Sequence, residues 1–188
     1  MKKLLIFFIT IYAYCVDYSW QNFQNGISIK MPSNFHKLNQ NQINAIKNIS
    51  PVPVPGQISL LIANSNETPH KAQIRLNLHP FKFSQNDVIE ATQSDLDEYG
   101  EMLCLQLKQY AFVPLVECGK SEKLEINGVF SLANSYIRKG LYESLWHVFT
   151  FTIPYSDMQM LTLTLSCDMN YANTYLPIFT EIVNTLKF

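Results

Sequence analysis

Charge is scarce in this chain of 188 residues. Only 15% of them are Asp, Glu, Lys or Arg, against roughly 25% in an average soluble domain. Fourteen Lys and Arg against fifteen Asp and Glu leave a formal net charge of −1. With no basic excess, nothing draws the chain toward nucleic acid or an anionic membrane. Glycine is scarce too: six residues leave little room for a Gly-rich phosphate loop, and none occurs. His36, His70, His79 and His147 stand apart, without His-x-x-x-His or His-Glu-x-x-His spacing, so no metal site is expected. There is no Cys-x-x-Cys and no Gly-x-Ser-x-Gly elbow. These absences point to a chain without a cofactor, a metal or catalytic residues. After residue 15, no apolar run approaches the roughly 20 residues needed to cross a bilayer.

What is present is apolar. The chain is 47% hydrophobic and 13% aromatic, which suits a packed core and argues against disorder. Part of that excess is N-terminal. Lys2 and Lys3 precede an apolar stretch, Leu4 to Ile11, which ends in Tyr12-Ala13-Tyr14-Cys15. This is the layout of a secretory signal peptide. Cleavage after Cys15 is expected, leaving residues 16–188 as one periplasmic domain. Losing Lys2 and Lys3 moves the net charge to −3. The alternatives are a lipidated Cys15, which bulky Tyr14 fits poorly, and a buried N-terminal strand. Cys104, Cys118 and Cys167 then permit one disulfide with one thiol left over, or none.

Periodicity marks the elements. Gly26 to Pro32 alternates as a strand, and residues 39 to 49 carry Ile43, Ile46 and Ile49 at helical spacing. Pro51 to Gly56 is extended. Ile58, Leu60 and Ile62 fall on one face of a strand; Ile74, Leu76 and Leu78 fall on one face of the next. Ser84 with Asp87 forms a capping box for a helix from Gln85 to Gln109, with Gly100 as its weak point. Val113 to Lys120 reads as a strand. Asn127-Gly128 signals a hairpin. Phe130 to Arg138, Leu145 to Ile153 and Met158 to Cys167 are further strands, the last two joined through Pro154 to Asp157. A four-residue loop there would put Phe149, Phe151 and Ile153 on the face opposite Leu161, Leu163 and Leu165. A loop one residue different, or a bulge, would align them. A C-terminal helix is capped by Asn173 or Thr174, with Pro177 in its first turn and a stripe of Tyr175, Leu176, Phe179, Ile182, Val183 and Leu186.

Four pieces, in this order, resemble the PsbP-like superfamily. They are Asn25 to Pro32, Leu124 to Gly128, Phe149 to Pro154 followed by Leu161 to Thr164, and Tyr175 to Phe179 running on to Leu186-Lys187-Phe188. That superfamily includes lumenal oxygen-evolving-complex proteins, bacterial DcrB-like exported proteins and a eukaryotic Ran-binding regulator. The resemblance implies an α+β fold, a central antiparallel sheet with helices packed on both faces. It also implies a largely non-catalytic module that binds other proteins.

Between Phe83 and Leu107 lie six acids and no base: Asp87, Glu90, Asp95, Asp97, Glu98 and Glu101. This acidic helix is the expected contact for a basic partner. Two roles fit, an accessory subunit of an envelope complex or an immunity-type inhibitor of a secreted toxin. A second surface carries Arg75, His79 and Arg138. The alternatives are a carrier of a small apolar ligand, held between a helix and the sheet by residues such as Trp146, Phe149 and Met160, and a Cys/His hydrolase using His147 and Cys167.

Overall fold

Strand alternation decides the architecture. In a computed structural model the described residues are 16–23, 26–49, 56–110, 114–140 and 143–188. The expected leader and Pro51 to Pro55 lie outside them. Ten strands and four helices follow in order: β1 (Tyr18–Asn22), β2 (Ser28–Pro32), β3 (Phe35–Lys37), α1 (Gln40–Ile49), β4 (Ile58–Ser65), β5 (Ala72–His79), α2 (Gln85–Glu90), α3 (Gln93–Tyr110), β6 (Leu115–Cys118), β7 (Glu122–Ile126), β8 (Val129–Lys139), β9 (Leu145–Ser156), β10 (Gln159–Asp168) and α4 (Ala172–Thr185). β1 and β2 form a hairpin. The main sheet runs β3-β4-β5-β10-β9-β8-β6, with β7 also paired to β8, and its pairs are antiparallel.

Residues opposite each other in an antiparallel ladder share a face. Ile74, Leu165 and Phe149 form one such row; Leu76, Leu163 and Phe151 form the next; Leu78, Leu161 and Ile153 form a third. Leu161, Leu163 and Leu165 are fully buried there, each worth about 1.5–3 kcal/mol relative to exposure. α4 covers this face. Its Phe179 ring lies 6.5 Å from Phe149, and Tyr175 meets Phe35 edge-on at 5.8 Å. The opposite face carries Gln73, Arg75, Thr162 and Thr164 at its centre, and an apolar cluster where Leu132 meets Val88 of α2 and Leu96 of α3. The fold is thus α+β, with helices on both faces of an antiparallel sheet.

A bulge resolves the face question between β9 and β10. Ser156 pairs with Gln159, but Met160 pairs with Pro154, so the register shifts by one and Leu161 meets Ile153. Pro154 therefore belongs to the strand, and the turn is Asp157-Met158. A second bulge, between Ser59 and Leu61 of β4, corrects the expected face there. Leu61 and Ala63 enter the core, Ile62 faces the other side, and Ile58 is exposed. The Asn127-Gly128 hairpin forms as expected, with φ of 47° and 86°, the positive pair that its tight turn needs.

Two helices depart from expectation. The Gln85 to Gln109 helix is two, because the chain turns extended at Ala91 (ψ 129°) and starts again. Thr92 forms a second capping box: Asp95 N donates to Thr92 Oγ1 at 3.3 Å, and Thr92 N donates to Asp95 Oδ2 at 2.6 Å. α4 starts at Ala172, with Tyr171 at the cap position in place of Asn173 or Thr174, continuing a 3-10 turn capped by Asp168, whose Oδ1 accepts from Asn170 N at 3.0 Å. Pro177 consequently sits inside the helix, where its missing N–H leaves the Asn173 carbonyl without its helical donor. Ile178, not Leu176, joins the buried stripe. Of the expected strand Val113 to Lys120, Val113 lies outside the described residues; the strand found is Leu115–Cys118, ending two residues before Lys120.

Candidate functional site

All six predicted acids are exposed, but they do not do the same work. Asp87 and Asp95 are the acidic halves of the two capping boxes. Hydrogen bonds from the Ser84 side chain and backbone lower the Asp87 pKa; hydrogen bonds from the Thr92 backbone and hydroxyl lower that of Asp95. Asp97 accepts from Gln93 Nε2 at 3.0 Å. Glu90, Glu98 and Glu101 point to solvent.

The outer face of α3 is more than acidic. Glu98, Glu101, Met102 and Leu105 recur at helical spacing, so they share one face. Met102 is 46% exposed and Leu105 58%. Ile89 on α2 is 46% exposed. Two acids thus flank large apolar side chains left in water. Periodicity missed these apolar members, because Met102 and Leu105 sit one position off the expected inner stripe.

The inner face fixes the helix in place. A disulfide joins Cys104 of α3 to Cys118 of β6, one of the two states the cysteine count allowed. Gly100 is buried, and a Cβ there would lie 2.9 Å from Ser121 Oγ, so glycine permits the close approach. Lys123 Nζ donates to the Ile89 carbonyl at 2.8 Å, tying the end of α2 to β7.

A second feature is an apolar groove of about 400 Å³ between α4 and the sheet, lined by Phe149, Phe151, Leu165, Leu176, Phe179 and Val183. Of the three pocket residues expected from sequence, only Phe149 lines it. Trp146 and Met160 alternate onto the opposite face of the sheet, which separates them from it.

His147 and Cys167 are cross-strand partners, as expected. Their chemistry is that of a core. Burial, and then Asp168, push the Cys167 thiol up to about 11, away from the thiolate a nucleophile needs. Burial lowers the His147 pKa against the opposing pull of Glu117, and the ring lies 4.0 Å from Phe149. Arg75 and Arg138 share the polar face. His79 is separate, roughly 13 Å along β5 from Arg75, buried and stacked on Phe81 at 6.3 Å. Among the described residues, no group of three His, Cys, Asp or Glu could hold a metal ion, and no helix is long and apolar enough to cross a membrane.

Neither a protein-family model nor a curated protein sequence matches the chain. Solved structures do. The chain is similar to cyanobacterial PsbP (CyanoP) from Synechocystis sp. PCC 6803, with a TM-score of 0.61 and 11% identity over 94% of this chain and 95% of that one. It is also similar to LpqN, involved in cell envelope biogenesis of Mycobacterium tuberculosis, with a TM-score of 0.53 and 10% identity over 92% and 91%. At these identities the likeness is one of fold: the chain has the PsbP-like fold that the sequence resemblance implied.

Proposed function

We propose that this chain is an exported, non-catalytic module that binds a basic protein through the outer face of α3. The observation carrying the reading is Met102 and Leu105 exposed beside Glu98 and Glu101. Apolar side chains supply affinity when desolvated, and surrounding charge speeds encounter and selects the partner. An accessory subunit of an envelope complex and an immunity-type inhibitor both use such a surface.

Three features support export: the leader-like layout of residues 1–15, the Cys104–Cys118 disulfide, which favours an oxidising compartment, and the fold shared with LpqN. The test is affinity capture from the native envelope with the wild-type chain and with Glu98→Lys/Glu101→Lys. Loss of one basic partner in the variant supports the reading; its full retention removes α3 from it.

The α4 groove favours a second reading, a carrier of a small apolar ligand held against Phe149 and Phe179. A native mass spectrum of chain purified from its own host checks this. A bound apolar mass supports the carrier; a bare chain counts against it.

A further inference from the structure

Arg75 and Arg138 are the chain's only arginines, and the sheet brings both onto its polar face. Arg75 stands in the ladder row that crosses Thr164 and Thr150 to Asn134. Arg138 stands four residues further along β8, two rows on, opposite Trp146. The row between them is Gln73, Ser166, Val148 and Tyr136. Arg75 leans onto that row, its Nε donating to Gln73 Oε1. The Arg138 guanidinium lies over the Trp146 ring, 5.6 Å from its centroid, and the His70 ring meets the same indole edge-on at 5.6 Å. Arg75, Arg138, His70 and Tyr136 are each half-buried. They are close enough to act on one another's protonation.

This cluster lacks a counter-charge. Every Asp and Glu of the chain lies among the described residues. The ion pairs found there are Lys30–Glu181, Lys71–Asp168 and Lys139–Glu143, and neither arginine takes part in one. The acid that acts on the cluster is Glu67. It acts on His70, and its own Oε1 accepts the Tyr175 hydroxyl. Beside the Arg75–Gln73 bond, the arginines' other side-chain hydrogen bond among the described residues is long, Arg138 Nη1 to the Lys139 carbonyl at 3.4 Å. Most of their N–H donors are therefore unspent among the described residues. Burial pulls both arginine pKa values down, and Arg138 lowers that of Arg75 further. Two like charges in a half-buried site without an anion are costly, and an anion relieves both the desolvation and the repulsion.

We propose that this cluster is an oxyanion site, in which the two guanidinium groups and the Tyr136 hydroxyl hold a phosphate group against the wall formed by Trp146 and His70. Guanidinium forks suit phosphate because they present paired N–H donors to its oxygens. The phosphate comes either from a free phosphate compound or from a lipid headgroup.

The test is calorimetric titration of the full chain with inorganic phosphate at constant ionic strength set by chloride. Binding is expected in the wild type and should weaken about tenfold or more in Arg75→Gln. Arg138→Lys keeps the charge and the stem over Trp146, so it preserves the fold, and should weaken binding similarly because the fork is lost. Lys187→Gln, remote from the cluster, should bind as the wild type does. Absent binding in the wild type, or unchanged binding in both arginine variants, overturns the proposal. Sedimentation with phosphatidylcholine vesicles, with and without phosphatidic acid, separates the sources. Arginine-dependent binding to the phosphatidic acid vesicles assigns a lipid headgroup; arginine-dependent binding of soluble phosphate alone assigns a free phosphate compound.

Discussion

The Asp95 carboxylate accepts from both the backbone N–H and the hydroxyl of Thr92, at 2.6 and 2.7 Å. The pair starts α3 and so orients the surface assigned to partner binding. Thr92→Ala should lower stability by about 1 kcal/mol in chemical denaturation. The pH dependence follows from the depressed carboxyl pKa values of Asp87 and Asp95. A carboxyl group with a lower pKa in the folded chain adds stability above its unfolded value. That stability is lost as pH falls through the folded value. Stability should therefore fall below about pH 4, and Asp95→Asn should be less stable at neutral pH with a shallower acid decline. Identical acid slopes would contradict this.

Gly100 faces Ser121 across a gap that a methyl group would fill to 2.9 Å. Ser121 is buried, and its Oγ accepts from Asn134 Nδ2, so it has little freedom to move. Gly100→Ala should therefore destabilise the chain by about 1 kcal/mol: overpacking outweighs the gain in helix propensity. A stabilised variant would show that Ser121 gives way.

The Cys104–Cys118 bridge closes a loop with a sequence separation of 14. Cys104→Ser/Cys118→Ser should lose about 3 kcal/mol by loop-closure entropy. Amide exchange should quicken first in α3, which the bridge ties to β6. Uniform quickening across β5 and β10 would contradict a local role.

Cys167 should resist alkylation in the native chain across neutral pH, since its thiol is buried and its pKa raised to about 11. It should react once denaturant unfolds the sheet. Rapid native modification at pH 7 would reopen a nucleophilic role for Cys167 and His147.

The sequence reading succeeded where one signal dominates. Alternation located β5, β9 and β10, and Asn127-Gly128 located its hairpin. It failed where a single residue resets a pattern. The bulges in β4 and before Met160 shift the register by one, and no residue type announces them. The break in the acidic helix was legible in principle: Thr92-Gln93-Ser94-Asp95 repeats the box of Ser84-Gln85-Asn86-Asp87. Charge counting found the six acids but not their division between caps and solvent, which depends on hydrogen bonds. The proximity of Arg75 and Arg138 spans four strands, and sequence distance carries no trace of it.

Site-specific photocrosslinking shows which face of the chain meets its partner. A benzophenone amino acid placed at Leu105 on α3, and separately at Leu176 on the rim of the α4 groove, is activated in the native envelope. One basic protein should be crosslinked from position 105 and lost when Glu98→Lys/Glu101→Lys is combined with the probe. A protein adduct formed from position 176 and none from position 105 would contradict it.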